Sequence, residues 1–185
     1  SVLSGTETRT ISVGVNRRTG FLLTLGIVII VVGSVSVLYL AGRHYSSVYT
    51  FNQSVRSMQE DKPVEALEAE VVTAYQLFTS DVYSRRVAEY QLIKMNDLAA
   101  VQNPNEEQLK QFNDAAAIGI NAAQLAIQND PQEPANYSVL GGIYGVLAAF
   151  SFEGAQEKAV EALTKSQQLN PKNPLPYLEI ANVEA

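Results

Sequence analysis

The chain has 185 residues, 46% of them hydrophobic, with 13 Lys and Arg, 19 Asp and Glu, one His and no Cys. That leaves room for one ordinary domain and excludes disulfides, Cys-ligated metals and His clusters; nothing in the composition asks for a cofactor. Residues 42–185 hold 10 Lys and Arg against 18 Asp and Glu, a net of −8, so the main body has no electrostatic footprint for nucleic acid.

Residues 1–18 mix Ser, Thr, Gly and β-branched residues without helical period and read as a flanking segment. Phe21 to Ala41 then holds 21 residues free of Asp, Glu, Lys, Arg, His, Asn, Gln and Pro. As a helix that run is about 30 Å long, the thickness of a bilayer core. A transmembrane helix is therefore expected over 19–42, with the lipid bilayer its partner. A secretory signal peptide is the rival, but its apolar region is shorter, about 7–15 residues. Gly26, Gly33, Ser34 and Ser36 suit close helix contact without forming a strict GxxxG. His44 falls at the interface, beside Tyr39, Arg43 and Tyr45. Arg9, Arg17 and Arg18 precede the span and Arg43 and Arg56 follow it, which favours an extracytoplasmic body. The chain begins at Ser1 and stops at Ala185 within a helical pattern, so it reads as a fragment of a longer gene product.

The body, 43–185, carries helical period throughout. Tyr45, Val48, Phe51, Val55 and Met58 recur at steps of three and four, so a helix is expected to run on from the span. Asp61 and Pro63 suit the start of the next helix, Val64 to about Leu77. A third is expected from Val82 to about Val101, and a fourth from Glu106 to Gln128 after the cap signal at Asn103-Pro104-Asn105. No stretch alternates like a strand, and the expected class is all-α.

Self-comparison exposes a repeat. Pro131, Pro134, Tyr137, Leu140 and Gly141 recur forty residues later as Pro171, Pro174, Tyr177, Ile180 and Ala181. Upstream, Gly119, Ala123 and Ala126 align with Ala159, Leu163 and Ser166. Proline after a helix fixes the turn, small residues admit a neighbouring helix, and Tyr137 and Leu140 are expected to fill the space beside Gly119 and Ala123. Tyr137-x2-Leu140-Gly141-x2-Tyr144, then Ala159-x3-Leu163-x2-Ser166-x4-Pro171, resembles the tetratricopeptide repeat, in which stacked helix hairpins form an α-solenoid. Tyr stands for Trp and Ser166 for Ala, and the spacing exceeds the usual repeat of about 34 residues by about six. The excess falls in Leu147 to Gly154, read as a lengthened loop. Tyr83-x2-Arg86-Val87-x2-Tyr90 resembles a degenerate earlier copy.

The layout as a whole, with RTISVGVNRRTG, one span, a degenerate repeat, then GAQEKA and NPKNP, resembles the tail of bacterial membrane proteins of the O-antigen ligase/polymerase type. That resemblance implies a cell-envelope setting and carries over no catalytic residue. The tetratricopeptide resemblance implies a groove for a protein or peptide segment, lined by Ser84, Ala88 and Gln91 on one hairpin and Ser138, Gly142 and Gly145 on the next.

No phosphate loop, nucleophile elbow, zinc-protease motif or calcium loop is present, so no enzyme is expected in this stretch. Glu106-Glu107 are adjacent and point apart on a helix, so they favour the helix dipole rather than acid/base work. Asn52-Gln53-Ser54 and Asn136-Tyr137-Ser138 match the glycosylation sequon at chance level. The expected function is a membrane-tethered scaffold for protein–protein interaction. The alternatives are the accessory tail of a ligase/polymerase-type glycan-transferring enzyme, or a plain structural spacer.

Overall fold

The computed structural model describes residues 17–57 and 64–184. Among them all regular structure is helical. The chain divides into two units, 1–42 and 43–185. The sequence readings for residues 1–16, Met58, Asp61 and Pro63 lie outside the described residues.

Helix α1 spans Arg17–Ser57. In the first unit it is one helix long and apolar enough to cross a membrane. No residue from Phe21 to Leu40 is buried. Two of its hydroxyls bond inside the helix, Thr24 donating to the Gly20 carbonyl at 3.0 Å and Ser36 to that of Val32 at 2.8 Å. Such back-bonding answers those two hydroxyls within an apolar surface. Gly26 and Gly33 face open space.

In the second unit, α1 from Arg43 onward lies against α2 (Val64–Leu77). Arg43 donates to the Gln76 carbonyl at 2.9 Å, Ser47 to Ala74 at 2.9 Å and Ser54 to Leu67 at 3.3 Å. As one number rises the other falls, so the two helices are antiparallel. Among the described residues of the expected apolar stripe only Phe51 faces the core, with its ring centroid 4.7 Å from that of Tyr83. Tyr45, Val48 and Val55 are exposed, and the buried positions are Ser47 and Ser54. Small hydroxyl residues let the backbones approach and bond the carbonyls of α2, which a Tyr or Val stripe does not.

Helices α3 (Asp81–Ala99) and α4 (Glu106–Asn129) pack closely on each other. Asn105 and Gln108 close a reciprocal capping box at 2.8 and 3.0 Å, satisfying two of the free N–H groups that open α4. Helices α5 (Pro134–Ala149) and α6 (Ala155–Leu169) pair likewise, with Ser138 beside Ser166 and Gly141 beside Leu163. Helix α5 also touches α3, α4 and α7 (Leu175–Glu184), and α6 touches α7.

The forty-residue repeat returns as hydrogen bonds. The Asp130 N–H donates to the Ala126 carbonyl at 2.9 Å, and the Asn170 N–H to that of Ser166 at 3.0 Å. The Glu133 side chain accepts from the Ala135 N–H, and Asn173 accepts from Leu175, each at 3.1 Å. The lengthened segment is not all loop. Leu147 to Ala149 extend α5, and Leu147 is buried. The chain then turns through Phe150 to Gly154, with Ser151 at φ 59° and Gly154 at φ 71° in the left-handed region. Phe150 and Phe152 cover Phe112 at ring distances of 5.2 and 6.5 Å.

Candidate functional site

The helices set two open clefts on different faces of α5. The first, about 650 Å³, is floored by Gly142, Gly145 and Val146, with Asn96 of α3 on one side and Glu179 and Asn182 of α7 on the other. The glycines sit against neighbouring helices. A Cβ on Gly142 would lie 3.1 Å from Leu92 Cδ2, and one on Gly145 3.3 Å from Val183 Cγ2. The bare backbone thus lowers the floor. Asn96 and Asn182 are exposed, and each carboxamide both donates and accepts. Gln156 donates to the Val183 carbonyl at 3.1 Å and holds α7 to α6.

Glu179 is the unsettled group in this cleft. Its Oε2 is shielded from solvent and has no hydrogen-bond partner. Desolvation pushes its carboxyl above the ordinary carboxylate range.

The second cleft, about 740 Å³, is floored by Tyr137, Leu140 and Tyr144, with Gln124 of α4 on one wall and Lys158, Glu161 and Lys165 of α6 on the other. It is the larger of the two, and two of its polar groups are engaged. The Tyr137 hydroxyl donates to the Pro131 carbonyl at 3.2 Å, and the Lys158 ammonium lies 5.4 Å from the Tyr144 ring centroid. The first cleft presents two exposed carboxamides and an unpartnered carboxylate oxygen.

The six groove residues expected from the sequence separate into two groups. Gly142 and Gly145 line the first cleft. Ser138 bonds Ser166 at 2.8 Å. Ser84, Ala88 and Gln91 are buried, so they face neighbouring helices and present no groove. Gln91 donates to Glu68 of α2 at 2.6 Å, and its Cβ is where a side chain on Gly119 would fall. Ser84 reaches only a hollow of about 190 Å³, below the usual size of a ligand site, about 300 Å³ and upward.

The packing positions also divide. Ala123, Ala159, Leu163 and Ser166 are buried. Gly141 is overlaid by α6, where a Cβ would stand 2.6 Å from Leu163 Cγ. Gly119 receives Ile143, not Tyr137 or Leu140, with 3.0 Å between its would-be Cβ and Ile143 Cδ1. Tyr137, Leu140 and Tyr144 are half-buried, while Val139, Ile143 and Leu147 fill the core. Pro131, Pro171 and Tyr177 are exposed. In the degenerate copy Tyr83, Val87 and Tyr90 are buried, and Arg86 pairs with Glu89 at 2.7 Å.

Sequence reasoning missed Asn136, read there only as a sequon. It is wholly buried. It donates to the carbonyls of Ala126 at 3.1 Å and Asp130 at 2.9 Å, and accepts from Arg85 at 2.7 Å. Arg85 in turn pairs with Asp81 at 3.0 Å. A polar residue at the foot of an otherwise apolar helix was the available signal. Among the described residues no group of side chains is suited to a metal ion.

No protein-family model matches the chain, and no curated protein matches it.

Proposed function

We infer that this chain is a membrane-tethered scaffold that holds a protein or peptide segment in the cleft between α3, α5 and α7. The observation that carries the reading is the arrangement of Asn96, Asn182 and the unpartnered Glu179 carboxylate around a glycine floor. Carboxamides on both walls pair with the N–H and C=O groups of an extended chain, and glycines let that chain come close. A desolvated carboxylate is answered by a donor on the partner, such as a Lys, Arg or backbone N–H. In this reading the hairpins stack as a tetratricopeptide-like solenoid. The repeat-spaced caps of α5 and α7 and the antiparallel pairing of α5 with α6 support it. The 21-residue apolar run is the tether. The balance of Arg residues favours the body outside the cytoplasm, and a reporter fused after Ala185 that is active in the cytoplasm would overturn that orientation.

Peptide display against residues 43–185 tests the site. Selected peptides are expected to lose at least about tenfold in affinity to the Asn96→Ala/Asn182→Ala variant, the equivalent of about 1.4 kcal/mol. Both residues are on the surface, so the fold survives their change. Binding that ignores this variant and falls instead with Lys158→Glu/Lys165→Glu would move the site to the second cleft and sink the proposal.

The layout also favours a second reading, the accessory tail of a ligase/polymerase-type membrane enzyme. The complete reading frame separates the two, because many further spans upstream fit the enzyme and a start codon close before Ser1 fits the scaffold.

A further inference from the structure

Phe78 closes α2 and stands 45% exposed in the turn to α3. Its ring meets the His44 ring edge-on, with centroids 4.6 Å apart. His44 is three residues past Ala41, the last residue of the apolar run. Within α1 three residues advance about 4.5 Å. The interfacial layer on each side of a bilayer's hydrocarbon core is about 5–7 Å deep. A span that ends at Ala41 therefore puts His44 within that layer, with the Phe78 ring in edge-on contact with it. Tyr45, 74% exposed, stands next to His44 on the same helix.

The turn itself carries no charge, since Phe78-Thr79-Ser80 precedes Asp81, whose carboxylate is held by Arg85. The turns that follow α4 and α6 differ, with Asp130 and Glu133 in one and Lys172 in the other. An exposed aromatic residue costs about as much in water as it gains by burial. Aromatic rings are enriched at the headgroup level, where an apolar body and a wet edge are both met.

We propose that the α2–α3 turn, led by Phe78, is a second membrane contact, seated in the interfacial layer of the same leaflet that the span leaves. It rests on the reading of 21–41 as a membrane span. The occupant is lipid, because the Phe78 ring touches His44, which is only three residues along the chain from the end of the apolar run. A single point of attachment leaves a domain free to swing, and a ring in the headgroup layer removes part of that freedom.

The protein has no Trp, so a single introduced indole reports its own surroundings. The full chain is reconstituted into phosphatidylcholine vesicles as three variants, Val31→Trp in the span, Phe78→Trp, and Phe152→Trp in the α5–α6 turn. Lipids brominated at shallow or deep acyl positions then quench whatever lies near them. Phe78→Trp is expected to show a blue-shifted emission and to be quenched more by shallow than by deep bromine. Val31→Trp is expected to favour deep bromine, and Phe152→Trp to be quenched by neither. If Val31→Trp is quenched and Phe78→Trp behaves like Phe152→Trp, the contact is refuted while the span stands. If Val31→Trp is not quenched, the membrane reading fails and this proposal falls with it. A blue-shifted but unquenched Phe78→Trp means that a protein surface covers the turn, which also overturns the lipid contact.

Discussion

Removing the Asn136 carboxamide breaks three hydrogen bonds at once, to the last carbonyls of α4 and to the guanidinium on α3. The groups left behind are buried at Ala126 and partly buried at Asp130 and Arg85, so Asn136→Ala is expected to lower stability by about 1–3 kcal/mol. Urea unfolding of residues 43–185 measures it, and a loss within experimental error would mean that water replaces the carboxamide. Gly141 is the steric counterpart. Its absent Cβ would collide with Cγ of Leu163 and approach the Leu163 backbone nitrogen to 3.3 Å, and neither is the free end of a side chain. Gly141→Ala should therefore destabilise despite the better helix propensity of Ala, and Gly141→Leu by about 1–3 kcal/mol or more. Pairing Gly141→Ala with Leu163→Ala should cost less than the sum of the two, and strict additivity would refute the contact. Glu179 gives a pH signature. Its folded-state carboxyl holds a proton at higher pH than in the unfolded chain, because desolvation penalises the charge. Stability from this group is thus present at low pH and falls as pH rises from the ordinary carboxylate range through the raised value. Glu179→Gln should flatten that decline, with its benefit larger at pH 7 than at pH 4 in paired unfolding curves.

At the scale of whole helices, the two units make different demands. Residues 43–185 alone should be soluble and helical, while any chain containing 21–41 should require detergent or lipid; the full chain running as a monomer in plain buffer would refute the span. The α4 capping box is worth about 0.5–2 kcal/mol on Asn105→Ala, again by urea unfolding. That cap was legible in Asn103-Pro104-Asn105, and the bounds of α2 were read to the residue. Bounds were legible because breakers and caps act locally. Faces were less so. In the apolar stripe expected for α1 Phe51 packs on the core, yet Tyr45, Val48 and Val55 are exposed and the structure buries Ser47 and Ser54, which close approach to α2 rewards. In α5 the conspicuous residues were Tyr137 and Leu140, but Val139 and Ile143 point into the core. A motif marks which residues recur, whereas burial depends on where the neighbouring helices lie, which no single segment encodes. The cleft was half-legible for the same reason. Gly142 and Gly145 were found from repeat spacing, while Asn96, Glu179 and Asn182 join them only through packing.

Across the whole body, hairpins that touch mainly their neighbours should lose stability unevenly. Gly141→Leu is expected to speed amide exchange first in α5, α6 and α7, leaving α2 and α3 protected. Uniform acceleration over 64–184 would mean one cooperative bundle instead.

Hairpins built on an internal repeat share a hazard, since each offers a surface much like the next and can dock out of turn during folding. The link from Asp81 through Arg85 to Asn136 answers it. Forty residues after Asn136 stands Pro176, which has no side chain able to accept from a guanidinium or to donate to a helix end. Were α3 to seat itself on α7, the charge of Arg85 would lose that partner and the end of α4 would lose its donors. The mismatch makes α5 the match for α3 and α7 a poor substitute. A buried polar contact thereby works as an address, writing the order of the hairpins into a chain whose repeats alone leave it ambiguous.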